Sequence, residues 1–446
     1  MGKLFDLLSH PDELVSVIHL LGFRKTLHKS DRNAMRPSLK RCYEMLFITS
    51  RSFAKVIEEL HPELKDVVMI FYLLLRALDT VEDDMSIDPK IKVPWLKNFS
   101  SLLKLKEYSY HEVDEKERDR VCLVEFTEIL TEFHRLKPEY QEILADISKR
   151  MGDGMAHYIV DEQFNTEGVA TNKDFDLYCH YVAGIVGEGL TRLFILAGFS
   201  DESLAKNNYE KANSMGLFLQ KTNITRDFNE DYLDGRSFWP KEIWSKYTDK
   251  LGNFADKDNE EYRIKGVQCI NDLVLNALQH CEDVLHYLSL VKDPSSFNFC
   301  AIPQVMAVAT MELVFNNPDV LYGNVKIRRG TTCQLILQSR TFPDVVKLFR
   351  TYLRKIHHKA PVEDPNYFKI TTKIAKIEQF CDQLYPDPKN IPAGAKVTNN
   401  YSEIIKSRKP IDDKMQKIIQ SETFKCYLSI ASIFSLFGGV LYYIFF

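Results

Sequence analysis

The cysteines of this 446-residue chain do not pair up along the sequence. All nine stand apart, at positions 42, 122, 179, 269, 281, 300, 333, 381 and 426, with no CxxC and no His/Cys grouping of zinc spacing. That argues against a disulfide framework or a zinc module and predicts free thiols in a reducing compartment. Charge of one sign is scarce too. Lys and Arg total 58 against 62 Asp and Glu, a net of −4, and the basic residues are spread out, so no field is available to hold nucleic acid. The opening "MGKLFDLLSHPDELVSVIHLL" places Asp6, His10, Asp12 and Glu13 where a signal peptide needs an unbroken apolar core. Asp6 also occupies the position where a myristoylation motif needs Ser or Thr. Period-two alternation is rare, and no Asn-Gly or Asp-Gly turn joins β-branched runs, so strand signals are weak. There is no GxGxxG after a strand, hence no Rossmann dinucleotide site. Internal repeats and low-complexity tracts are missing as well.

Helical periodicity is what remains. Apolar residues recur at i, i+3 and i+4 through 121–160, 176–199, 210–234 and 262–291, which predicts an all-α protein. Pro62 opens a further helix whose apolar stretch, Val67 to Leu75, is too short to cross a bilayer and reads as core. Near the end, Pro386, Pro388, Pro392, Gly394, Asn399, Asn400 and Pro410 have the composition of a linker. The expected organisation is a body over 1–384, a linker and basic stalk over 385–425, and a transmembrane helix over 426–446. Lys425 is the last charged residue, and the run "CYLSIASIFSLFGGVLYYIFF" makes a helix of about 30 Å, the thickness of a hydrocarbon core. Tyr427, Tyr442 and Tyr443 suit its two interfaces. Lys406, Arg408, Lys409, Lys414, Lys417 and Lys425 precede it, and positive residues stay cytoplasmic, so the expectation is a tail anchor with the body in the cytosol.

Two acidic clusters share one spacing. "DTVED" supplies Asp79, Glu82 and Asp83, and "DFNED" supplies Asp227, Glu230 and Asp231. On a helix these i, i+3, i+4 carboxylates share one face and repel one another unless cations are present. Gln220 and Asn223 extend the second cluster into a polar stripe, bordered by Phe218, Leu219, Ile224 and Phe228. Such a stripe points to a cavity or a ligand, because a dry core would leave it unsatisfied. Carboxylate oxygens without Cys or His suit Mg²⁺, which keeps open positions for phosphate oxygens. Arg51, Arg76, Arg226 and Arg236 lie near enough in sequence to meet a diphosphate. Two metal–diphosphate clamps on one apolar cavity imply ionisation, with metal and Arg stabilising the leaving group and aromatic faces sheltering a carbocation.

The segments "ITSRSF", "FYLLLRALDTVEDD", "YCHYVAGIVGEGLTRLF", "SMGLFLQKTNITRDFNED", "GRSFWPKEIW", "FNFCAIPQVMAVATMELVFNN" and "VKIRRG" resemble, in order, those of squalene synthases, fungal members especially. The resemblance implies a single-domain isoprenoid synthase fold with a central cavity. It implies that two farnesyl diphosphates condense to presqualene diphosphate, which NADPH then reduces to squalene, at the endoplasmic reticulum membrane. Asp79, Glu82 and Asp83 then belong to the first metal site, and Asp227, Asp231 and neighbouring Asn223 to the second. Tyr178 matches a tyrosine that removes a proton during cyclopropane formation. Ser50, Arg51, Phe53, Tyr72, Arg76, Gln220, Asn223, Arg226 and Arg236 match substrate-facing positions. Asn324, Lys326, Arg328 and Arg329 match positions that bind NADPH. Two departures are visible: Thr225 stands where Ile is expected, and Phe228 where Tyr is expected. The nearest rival, a phytoene- or dehydrosqualene-type synthase, shares both clusters but performs no reduction. A terpene cyclase or chain-elongating prenyltransferase fits less well, its motifs being usually DDxxD-like. A non-catalytic tail-anchored scaffold leaves the clusters without purpose.

Overall fold

The computed structural model describes residues 9–161, 168–385 and 402–445, without the side chains of 51, 52, 402–405, 434 and 436–445. Among the described residues the architecture is all-helical, and extended pairing is confined to one antiparallel bridge, Ser200 to Val291. Proline punctuates the helices. It occupies the first position of α1 (Pro11–Gly22), α2 (Pro37–Glu58), α3 (Pro62–Asp83), α4 (Pro89–Leu102) and α5 (Pro138–Val160). There its fixed φ is pre-set for the helix and its missing N–H is not needed. Pro138 is also why 121–160 is not continuous: the chain turns before it and starts again. The next helices are α6 (Asn172–Cys179), α7 (Ile185–Leu196), α8 (Lys206–Arg226), α9 (Phe228–Leu233), α10 (Pro294–Val314), α11 (Arg329–Gln338) and α12 (Ser402–Phe445). Asn207, Asn208 and Tyr209 open α8 in a left-handed turn, with φ of 51 to 60°.

The core gathers around α3, α8 and α10. From Val67 to Leu75 every α3 residue except Tyr72 is buried. Helix α10 is long and apolar enough to cross a membrane, but 78% of its most apolar window is buried, so it is a core helix. Helices α7 and α8 touch backbone to backbone. A Cβ on Gly187 would lie 2.3 Å from the Ala212 carbonyl oxygen, and one on Gly216 would lie 2.4 Å from that of Ala183. Helix packing therefore accounts for Gly187 within its helix.

Much of the segment read as a basic stalk is helical and lies against the body. In α12, Arg408, Asp412, Met415, Glu422 and Cys426 are buried. Arg408 pairs with Asp412 at 3.0 Å and covers the Phe297 ring at 4.1 Å, while Glu422 pairs with buried Arg340 at 2.5 Å. The composition of this stretch hides the stripe, because its buried residues include an internal Arg408–Asp412 pair and a Glu422 whose partner, Arg340, comes from elsewhere in the fold. Residues 386–401 lie outside the described residues, as do most side chains of the expected membrane span.

Candidate active site

An apolar cavity of about 320 Å³ opens between α2, α3, α7, α8 and α10. Phe53, Phe71, Leu75, Val186, Leu219 and Phe299 supply its walls, with Tyr72, Gln220, Asn223 and Gln304 as its polar members. Phe53 and Phe299 meet at 5.1 Å. Gln304 is held by donating from Nε2 to the Met215 carbonyl at 3.0 Å. Ser50, half-buried, lies one turn before Phe53 on α2. The Arg51 side chain lies outside the described residues.

Polar groups gather in one region of the site. The first acidic cluster ends α3. Burial pushes the Asp79 carboxyl up to about 7, Asp83 and Asp119 add to this, and Arg76 opposes it. Even so, 30% of the Asp79 side chain still reaches water, so a cation has access. Glu82 is likewise raised, by burial and then by Asp83 and Asp79. Arg76 stands 3.7 Å from Asp79 and 3.6 Å from Asp119, and donates to the Tyr72 hydroxyl at 3.2 Å. A second hollow, of about 370 Å³, joins Arg76, Thr80 and Asp83 to Asp114, Lys116 and Asp119.

The second cluster does not ride on one regular helix. The chain leaves helical geometry at Asp227 (φ −94°, ψ 15°) and resumes as α9. The Asp231 N–H still reaches the Asp227 carbonyl at 3.0 Å, so the i, i+4 relation survives the kink. Asp227 is chelated by its neighbour Arg226 at 2.5 and 2.7 Å. Burial, with Asp227, Glu230 and Asp234, raises the Asp231 carboxyl to about 6 against the pull of Arg236.

Arg236 joins the clusters. Its guanidinium lies 3.4 Å from Asp83 and 3.2 Å from Asp231, so carboxylates 148 residues apart in sequence share one cation. It also lies over the Phe238 ring at 5.7 Å. Tyr178 stacks on the same ring and meets Tyr158 edge-on at 5.1 Å. Burial, with Glu82, Asp83 and Asp231 close by, holds the Tyr178 phenol well above its ordinary pKa. A π-helical turn, His180–Gly184, follows α6 and delivers Val182 and Ala183 to the cavity wall.

The structure thus brings together Asp79, Glu82, Asp83, Asp231, Arg76, Arg236 and Tyr178, with Phe53, Tyr72, Gln220 and Asn223 on the cavity. It does not bring the basic segment there. Among the described residues, Asn324, Lys326, Arg328 and Arg329 line neither hollow. Asn324, Lys326 and Arg329 are exposed, and Arg328 chelates the buried Glu13 of α1 at 2.5 and 2.9 Å.

A match to the squalene/phytoene synthase family model spans residues 49–331. The chain belongs to that family. It is 56% identical over 446 residues to the squalene synthase ERG9 of Candida albicans, covering all of both chains. To that of Saccharomyces cerevisiae it is 50% identical over 443 residues, covering 99% of this chain and 98% of the relative. The solved complex of TcSQS with the ligand E5700 superposes with a TM-score of 0.73 at 42% identity, over 78% of this chain and 98% of that one.

Local packing accommodates the two departures. Phe228 sits between Trp239 at 4.3 Å and Tyr232 at 5.9 Å, an aromatic slot that asks for no hydroxyl. Thr225 returns its hydroxyl to the Lys221 carbonyl at 2.7 Å. Local pattern assigned no role to several residues of the site: Asp119 on Arg76, Phe238 under Tyr178, and buried Lys221. The Lys221 ammonium bonds Asn276 at 2.7 Å and pairs with Asp176 at 2.5 Å, two residues before Tyr178. A lysine inside the run "GLFLQKTNIT" was the one available signal, since a cation among apolar neighbours needs a partner.

Proposed function

We propose that this chain is a squalene synthase, joining two farnesyl diphosphates into presqualene diphosphate and reducing that with NADPH to squalene for sterol synthesis. The observation that carries the reading is Arg236 held between Asp83 and Asp231, beside Tyr178. The arrangement suits two anionic leaving groups entering one apolar chamber from the same polar side.

The donor set fits magnesium. It consists of carboxylates and one amide, and burial with mutual repulsion raises the Asp79 and Asp231 carboxyls, a charge that a divalent cation would relieve. That agrees with an ion held by one or two carboxylates together with substrate phosphates. We assign Asp79, Glu82 and Asp83 to one side and Asn223, Asp227 and Asp231 to the other. Magnesium, when bound, supplies the positive charge that stabilises departing diphosphate. Arg76, Arg226 and Arg236 orient the diphosphates, and to do so Arg226 and Arg236 exchange carboxylate partners for phosphate oxygens. Phe53, Phe71, Leu219 and Phe299 exclude water from the ionised chain and offer π faces to it. Burial, with Glu82, Asp83 and Asp231 close by, keeps the proton on Tyr178 Oη. Its part in removing the cyclopropane proton would be eased by positive charge that screens those carboxylates.

For the reductive half we assign Asn324, Lys326 and Arg329 to the phosphates of NADPH, which supplies hydride when bound. Arg328 serves the same loop through Glu13. We further assign 426–446 to a tail anchor in the endoplasmic reticulum membrane, with the body in the cytosol.

The test incubates the full-length chain in detergent with farnesyl diphosphate and Mg²⁺, with and without NADPH. The full chain is needed because removal of 411–446 would strip Asp412, Met415 and Glu422 from the body. The expected result is squalene with NADPH and presqualene diphosphate without it. A desaturated product regardless of NADPH would establish the dehydrosqualene- or phytoene-type reaction instead.

A further inference from the structure

The start of the span leaves no slack between body and bilayer. Cys426, its first residue, is still buried, and Glu422, four residues or about 6 Å earlier, is completely enclosed. Glu422 receives Arg340 on one side and the Lys25 backbone N–H at 3.0 Å on the other. Lys25 therefore stands about 6 Å below the start of the span, which is the depth of one headgroup layer. Leu27 and His28 then run along α12 away from the span, sharing a hollow of about 540 Å³ with Ile411, Met415 and Ile418. The stretch from the last turn of α1 to Ser30 is thus fixed to the helix that enters the membrane.

This stretch is dressed for a lipid surface. Leu21 is 81% exposed, an expensive position for a leucine in water. Lys25, four residues on, is exposed, and Lys417 and Lys425 are exposed on α12. Arg24 is not available, being chelated by Glu59 at 2.6 Å.

We propose that residues 21–25 form a second membrane contact, in which Leu21 inserts at the acyl boundary and Lys25 meets anionic phospholipid headgroups. The body is then clamped to the bilayer in one orientation instead of trailing from a tether. This rests on reading 426–446 as the span. Basic residues near an anionic leaflet and an apolar side chain at the boundary are the two forces that hold interfacial segments.

The test uses the full-length chain in phosphatidylcholine vesicles with and without phosphatidylserine. A photo-reactive benzophenone side chain replaces Leu21 in one variant and Tyr427 in another. Lipid adducts are expected at both positions, and in phosphatidylserine vesicles Lys25→Glu lowers the adduct at 21 by about fivefold while sparing that at 427. Adducts at 427 without any at 21 would overturn the clamp and leave the anchor standing. Adducts at neither would remove the anchor reading and this inference together. An adduct at 21 indifferent to both Lys25 and phosphatidylserine would overturn the assignment of anionic lipid as partner.

Discussion

The Tyr178 ring lies 5.2 Å from the Phe238 ring and only 21° from parallel with it. Phe238 also lies beneath Arg236, so one phenylalanine sets both the phenol and the cation that spans the two acidic clusters. Replacing it removes a stack worth about 1 kcal/mol beyond its buried area. Phe238→Ala is expected to lower kcat for presqualene diphosphate formation about tenfold or more. The KM for farnesyl diphosphate should change far less, because the cavity walls stay in place. Steady-state kinetics without NADPH separate the two, and an unchanged kcat would remove Phe238 from the positioning of Tyr178.

Asp79→Ala and Asp227→Ala are each expected to abolish the first half-reaction while leaving the helical circular dichroism intact. Both side chains are partly solvated, so neither deletion leaves a hole in the core. Substantial presqualene diphosphate from either variant would refute its role.

The basic segment calls for a distinction that only the structure supplies. Arg328→Ala deprives buried Glu13 of its chelating partner, leaving the Thr331 hydroxyl at 2.9 Å. It is expected to lower the melting temperature as well as the reductive step. Lys326→Ala and Arg329→Ala, both on exposed side chains, are expected to raise the KM for NADPH severalfold without a change in stability. Equal losses in condensation and reduction would argue against a role confined to NADPH.

Lys221 and Asp176 should respond unequally. The ammonium is 2% exposed, whereas half of the Asp176 side chain meets water. Asp176→Ala leaves a buried cation with only Asn276 as its polar partner, a loss of about 3 kcal/mol. Lys221→Met fills the same space with an apolar chain and returns Asp176 to solvent, at a cost nearer 1 kcal/mol. Urea unfolding midpoints give the order, and the reverse order would show that Asp176 is not the main counter-charge.

His280 predicts an acid limit. Burial, with Lys221 and Lys373 nearby, lowers its pKa to about 3 from an unfolded value near 6.5. The unfolded chain therefore binds the proton first, and stability present above pH 6.5 is lost as the pH falls towards 3. Between pH 7.5 and 5.5 this single group removes about 1 kcal/mol. His280→Phe is expected to flatten that part of the profile of melting temperature against pH, which differential scanning calorimetry records directly.

What the sequence determined by itself was everything that depends on local spacing. Period 3.6 announced helices, proline marked where they begin, and the repeated D-x-x-E-D placed three carboxylates within one turn twice over. The apolar run from Val67 to Leu75 was legible as core for the same reason, since burial of a helix face follows from its periodicity. What only the tertiary structure decided depends on which surfaces meet. Asp83 and Asp231 share Arg236, Phe238 underlies Tyr178, and Arg328 turns to Glu13, because helices distant in sequence pack side by side; no local pattern encodes that. The stretch from 402 to 425 shows the limit most plainly. Its lysines have the composition of a stalk, yet Arg408, Asp412 and Glu422 are buried, because Arg408 and Asp412 enter the body as a pair and Glu422 meets Arg340 only on packing, so no charge leaves water alone.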